Sequence, residues 1–200
     1  MIKEHILLGV LWIGYGLLHS LFADTGVKAW LSRRMGRFAT HYRLIYTLFA
    51  FVTLVAVLLY QVRMASPILY TGFLSLKIMG SLIGFTGLSI MLFCIRKYFM
   101  SLSGLRSLVE PEKAGAELMI TDIHQYVRHP LYLGTFLFIW GLWIILPYLS
   151  LLVANVIITI YTLIGITLEE KKLELLFGDS YRAYKQKVPR ILPFRRVTPP

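Results

Sequence analysis

The stretch LYLGTFLFIWGLWIILPYLSLLVANVIITIYTLIGITL, Leu131 to Leu168, contains no charged residue, and its reading decides the fold. About 20 apolar residues cross a hydrocarbon core, so it is too long for one span. Pro147-Tyr148 divides it. The first arm, Leu131 to Leu146, is short for a span, and the second, Leu149 to Leu168, is full length. The two read as a tight helical hairpin. Three more apolar stretches precede it: about Ile6 to Ala23, about Leu44 to Val62, and Ile78 to Ile95 with Lys77 placed to snorkel. The first lacks a basic n-region and a small-x-small cleavage site, so it reads as a retained span and not as a signal peptide.

Composition agrees. Of 200 residues, 57% are hydrophobic and 16% charged, where a soluble domain has roughly a quarter charged. Both a soluble globular domain and a disordered chain are thereby excluded. The net charge of +11 comes from 21 Lys+Arg against 10 Asp+Glu. In a membrane protein such an excess speaks of topology and contact with anionic lipid, and no basic-aromatic run suggests nucleic acid. Cys94 is the single cysteine, so disulfide frameworks and thiolate metal clusters are excluded.

The basic residues alternate by connection. Lys28, Arg33, Arg34, Arg37 and Arg43 follow the first span, and Arg63 alone follows the second. Arg96, Lys97, Arg106, Lys113 and Arg128 follow the third. The turn at Pro147 is uncharged, and eight basic residues lie between Lys171 and Arg196. This pattern predicts an all-α integral membrane protein with about five transmembrane helices, N-terminus outside and C-terminus cytoplasmic. Four spans with a re-entrant last pair is the alternative. Either way one membrane domain covers residues 1–200. It comprises the first three spans (1–100), a cytoplasmic loop (101–130), the hairpin (131–168) and a C-terminal amphipathic helix and tail (169–200). Val27, Trp30, Leu31, Met35 and Phe38 recur at helical spacing among basic residues and predict a short interfacial helix. Gly80, Gly84 and Gly87 form a small-residue stripe for helix packing. Gly14-Tyr15-Gly16 lies inside an apolar span and reads as packing, not as a nucleotide loop.

Polar chemistry concentrates in two places. In His124-Gln125-Tyr126-Val127-Arg128-His129-Pro130-Leu131-Tyr132-Leu133-Gly134, Pro130 suits the first helical position and leaves His129 at the cap. Arg128 and His129 then flank a helix N-terminus that favours an anion, with Tyr132 one turn on and Gly134 open to close approach. The second place begins at Glu169-Glu170, where two adjacent carboxylates beside lipid demand pairing or solvation. Helical spacing puts Glu170 and Glu174 on one face, and Gly178-Asp179 ends the helix. The plain alternatives are a headgroup anchor for Arg128 and His129 and an amphipathic lipid-bound tail for the rest.

These motifs resemble the integral-membrane methyltransferases, a superfamily of isoprenylcysteine carboxyl, phospholipid and methanethiol S-methyltransferase-like enzymes. The resemblance rests on Arg128-His129-Pro130-x-Tyr132-x-Gly134, Glu169-Glu170-x-x-Leu173, Gly178-x-x-Tyr181-x-x-Tyr184 and Val188-Pro189-Arg190-x-x-Pro193. It is weaker in the first half, at His19-Ser20-Leu21 and Tyr42-Arg43-Leu44-Ile45-Tyr46. It implies S-adenosylmethionine at the cytoplasmic foot of the last two spans, capped by the tail, in a bacterial inner membrane. Arg128 and His129 would take the carboxylate, and Glu169 or Glu170 the ammonium or a ribose hydroxyl. Tyr126, Tyr132 and Tyr184 would meet adenine or the sulfonium, Gly134 would give space, and Arg190 and Pro193 would close a lid. Arg128, His129 and Glu170 are the catalytic candidates, in a reaction that is mainly alignment. The isoprenylcysteine branch carries an arginine about four residues before its paired glutamates, where this chain has Gly165. That departure favours a small thiol or lipid-soluble acceptor over a prenylated cysteine or a phospholipid headgroup. His19 reads as a satisfied interior histidine, with a base or a haem ligand as alternatives. A haem or transport protein using His19 with His129 is thus the reading from another class. His5 and His41 are expected at the interface, and no metal site is expected.

Overall fold

The computed structural model describes residues 1–102, 118, 120 and 122–192. Within them the regular structure is helical: α1 (Ile2–Ala23), α2 (Thr25–Met35), a 3-10 turn (Gly36–His41), α3 (Tyr42–Arg63), α4 (Leu74–Leu102), a 3-10 turn (Asp122–Gln125), α5 (Pro130–Ile145), α6 (Leu149–Phe177) and α7 (Asp179–Lys187). α1, α3, α4 up to Lys97, and α6 are long and apolar enough to cross a membrane, while α5 is shorter. The protein is an all-α integral membrane protein. Side chains such as Phe51, Val62, Leu82 and Phe85 are exposed on its helices, as lipid-facing surfaces require. Most of the expected 101–130 loop lies outside the described residues.

The chain forms two compact units. One takes residues 1–71 and 146–158 with the end of α4, and the other takes 72–97, the described residues from 118 to 145, and 159–192. In the first, Leu8 and Trp12 of α1, Val57 of α3 and Ala154 of α6 are buried together. Trp12 Nε1 donates to Gln61 Oε1 at 2.9 Å, satisfying two polar groups inside an apolar core. Asp24 caps α2, accepting from the backbone N–H groups of Gly26 and Val27. The expected interfacial helix stops at Met35, because Gly36 takes φ +54°, so Phe38 falls on the following 3-10 turn. His5 is buried, its ring bonded to the Met1 carbonyl at 2.7 Å and to Ser66 Oγ at 3.1 Å. Ser66 Oγ also accepts from the Ser150 N–H at 2.8 Å. The turn at Pro147 is tied to the same segment, Leu69 N–H donating to the Pro147 carbonyl and Leu149 N–H to the Pro67 carbonyl.

In the second unit, α4 and α5 cross on glycine. Gly80, Gly84 and Gly87 meet α5 at Ile144, Gly141 and Gly134; a Cβ on Gly141 would stand 2.5 Å from the Gly84 nitrogen, and one on Gly134 2.9 Å from the Gly87 carbonyl oxygen. The stripe is packing, as its spacing predicts. Trp140 Nε1 donates to Thr159 Oγ1 at 3.1 Å, so α5 touches α6 through a polar pair as well. Only Leu146, Pro147 and Tyr148 separate those two helices, the short connection the sequence implies.

Candidate functional site

The site belongs wholly to the second unit. Pro130 is the first residue of α5, so His129 and Arg128 stand just outside the helix with their N–H groups free to turn elsewhere. They turn to the tail. Arg128 N–H donates to the Pro189 carbonyl at 3.0 Å and His129 N–H to the Arg190 carbonyl at 3.2 Å. The tail reaches them because Gly178, at φ +55°, ends α6 and lets α7 start in a new direction. Tyr181, Tyr184 and Val188 then bury themselves against Leu118, Leu173 and Phe177.

At the centre lies Glu170. The apolar run of α6 stops at Leu168, and Glu170 sits in the polar end beyond it, with its side chain 7% exposed. Arg128 Nε donates to Glu170 Oε1 at 2.9 Å, and His129 Nε2 to the same oxygen at 3.0 Å. An ionised carboxylate only accepts, so His129 carries its proton on Nε2. Arg128 Nη1 donates to the carbonyls of Lys185 and Val188. Arg190 Nε lies 3.6 Å and Lys185 Nζ 3.8 Å from Glu170 Oε2, and Lys185 Nζ is bonded to Glu174 Oε1. Arg190 Nη2 donates to Thr167 Oγ1 at 2.7 Å.

Burial alone would raise the Glu170 pKa. The hydrogen bonds from Arg128 and His129, with the positive charges of Arg128 and Arg190, overcome it and hold the carboxyl below its ordinary value. The rim is more open. Glu169, 47% exposed, accepts from the Tyr132 hydroxyl at 3.2 Å, and the rings of Tyr132 and His129 stack with centroids 5.7 Å apart. The Tyr181 phenol is buried, and among the described residues its hydroxyl has no hydrogen-bond partner. Burial, then the charge of Glu170, pushes its pKa up to about 12. Burial lowers that of His124, helped by the charges of His129 and Lys97.

Of the residues singled out in the sequence, Arg128, His129, Tyr132, Glu169, Glu170 and Arg190 come together. Tyr184 stands behind them, its hydroxyl donating to the His124 carbonyl at 2.6 Å and its ring packed on Tyr181. Gly134 faces α4, Tyr126 is exposed and makes none of the cluster's contacts, and Pro193 lies outside the described residues. Sequence reading missed Lys185 and Thr167. The i, i+3 spacing of Thr167 to Glu170 was the available signal for the second. His19 is held in the other unit, its Nδ1 2.9 Å from the Tyr46 hydroxyl and its ring stacked on Tyr15.

A polytopic helical membrane protein whose last two apolar helices present a charged, half-open cluster at their polar ends is the class these features define. The chain belongs to the phospholipid methyltransferase family, whose model matches residues 71–180, and so to the integral-membrane methyltransferase superfamily. A methanethiol S-methyltransferase of Bradyrhizobium diazoefficiens is 43% identical over 74 residues, 37% of this chain and 25% of the relative. One of Crocosphaera subtropica is 39% identical over 87 residues, 42% of this chain and 32% of the relative. The protein-S-isoprenylcysteine O-methyltransferase of Schizosaccharomyces pombe is 32% identical over 108 residues, 50% of this chain and 46% of the relative. These matches span less than half the length of each relative. No solved structure matches the chain.

Proposed function

We propose that the protein transfers a methyl group from S-adenosylmethionine to a small thiol or another lipid-soluble acceptor, at the cytoplasmic face of a bacterial inner membrane. The observation that carries this reading is the meeting of Arg128 and His129 with Glu170 in one buried cluster bordered by the more open Glu169 and Tyr132. Family membership supports methyl transfer. The positive-inside pattern supports five spans with the N-terminus outside, and basic α2 and the tail suit contact with anionic lipid.

The residues fit such a donor. Glu169, already oriented by Tyr132, suits an ammonium or a ribose hydroxyl, and the stacked Tyr132 and His129 rings offer a π surface to adenine or a cation. When bound, the donor supplies an activated methyl on a sulfonium. The chain's own task is to bind, to align the acceptor with that methyl and to exclude water. Glu170, Arg128 and His129 fix the pocket's frame, and a thiolate acceptor asks for little more than orientation.

The acceptor class follows from α6. No basic residue lies between Leu149 and Leu168, and a side chain at Gly165 would meet open space, so this stretch brings no cation of its own to an acceptor carboxylate. The names of the two bacterial relatives support a thiol. The name of the fission-yeast relative supports a second reading, O-methylation of a prenylated cysteine.

Isothermal titration of detergent-purified protein with S-adenosylhomocysteine tests the reading. Binding is expected in the wild type and lost in Arg128→Ala, His129→Ala and Glu170→Ala. No binding by the wild type, or equal binding by all four, refutes it. Turnover of labelled donor with separate thiol, prenylcysteine and phospholipid acceptors then separates the substrate classes.

A further inference from the structure

Two guanidinium groups converge on Glu170, and they are not equivalent. The Arg128 side chain is 8% exposed, with Nε on Glu170 Oε1 and both Nη1 hydrogens on the carbonyls of Lys185 and Val188. It is tied to the frame. The Arg190 side chain is 37% exposed, and among the described residues one of its five N–H donors makes a hydrogen bond, from Nη2 to Thr167 Oγ1. Its Nε is buried and has no hydrogen-bond partner among the described residues; Glu170 Oε2 is 3.6 Å away, beyond a proper hydrogen bond. An unpaired buried donor is costly, and an arginine with spare donors on a part-exposed side chain is poised for an acceptor that none of the described residues provides.

We propose that Arg190, and not Arg128, meets the carboxylate of the methyl donor. This rests on the function proposed above. The chemistry selects a planar anion: a guanidinium presents parallel donors that match a carboxylate two-to-two, and Thr167 pins one arm so that the fork is held in one orientation. The position is fixed as well, because the Arg190 carbonyl accepts from His129 N–H and anchors the backbone beside α5. Glu170 Oε2 attracts the guanidinium from 3.6 Å without accepting a hydrogen bond from it, while Arg128 and His129 are both bonded to the other oxygen. Arg190 is then a residue that discriminates the amino-acid end of the donor, while Arg128 positions Glu170 and the tail.

The test is titration of wild type, Arg190→Gln and Arg190→Lys with two probes. One is S-adenosylhomocysteine, and the other is its decarboxylated analogue, the aminopropyl thioether of adenosine. Thermal midpoints of the unliganded proteins are measured alongside. Arg190→Gln is expected to weaken S-adenosylhomocysteine by roughly ten- to a hundred-fold, the range for hydrogen bonds to a charged group. Binding of the analogue should stay unchanged, so the wild-type preference for the carboxylate disappears. Arg190→Lys, which keeps the charge without the fork, should recover part of that preference. Equal weakening of both probes, or none of either, overturns the assignment while leaving the donor reading intact. Failure of both probes to bind the wild type overturns the donor reading and the assignment with it.

Discussion

Removing the Arg128 side chain strikes the point where three segments meet. In Arg128→Ala the Glu170 carboxylate, 7% exposed, loses its 2.9 Å donor and keeps one short partner, His129. The carbonyls of Lys185 and Val188 lose their Nη1 donor in the same stroke. Breaking a buried ion pair by deleting one member costs about 3–5 kcal/mol, because the surviving charge stays buried. Arg128→Lys keeps a charge but lacks the fork that reaches a carboxylate and two carbonyls at once, so it recovers only part of that loss. Replacing both partners, Arg128→Met with Glu170→Met, removes the stranded charge and should be less damaging than Arg128→Ala alone. Thermal unfolding in detergent followed by tryptophan fluorescence ranks the variants. Tryptic cleavage after Lys187 and Arg190 reports whether the tail has come loose. Unchanged midpoint and unchanged cleavage in Arg128→Ala would refute the reasoning, as would a double variant less stable than the single one.

Gly141→Ala should destabilise the second unit by about 1–3 kcal/mol, since its new methyl overlaps the α4 backbone at Gly84; a midpoint equal to wild type would count against the glycine crossing. Tyr181→Phe should leave thermal stability unchanged or raise it by up to about 1 kcal/mol, because the hydroxyl it deletes is buried without a partner among the described residues; a clear fall in the midpoint would mean the phenol is bonded after all. The Glu170 pKa is depressed in the folded protein, so its stabilising contribution is present above the ordinary carboxylate value of about 4.3 and fades as pH falls through the folded value. Wild-type stability should therefore drop in acid more steeply than that of Glu170→Gln, and parallel pH profiles would contradict this.

Much of this architecture was legible because it is local. Pro130 announces a helix start and Gly178 a helix end, and each does so through one residue's backbone preference. The Gly80, Gly84 and Gly87 stripe shows in the sequence because packing on one helix face has a period. Arg128, His129 and Glu170 could be suspected of meeting, since charges beside lipid require partners. What closes over a long separation left no such trace. The pairing of residues 128 and 129 with 189 and 190 uses backbone groups, which carry no side-chain signature. Lys185 reaches Glu174 across the break at Gly178, where helical spacing no longer predicts neighbours. His5 is bonded to Ser66, sixty-one positions away, a contact that its place near the start of an apolar run does not announce.

The tail pairing also bears on the order of synthesis. Residues 185 to 190 are translated after Arg128 and Glu170, and until they fold back onto them the arginine's carbonyl partners are missing. A chain truncated after Gly178 would thus carry its charged centre half-built, with Arg128 short of its carbonyl partners and open to water and proteases. Residues 185 to 190 complete a structure whose other half lies more than fifty positions earlier, at Arg128.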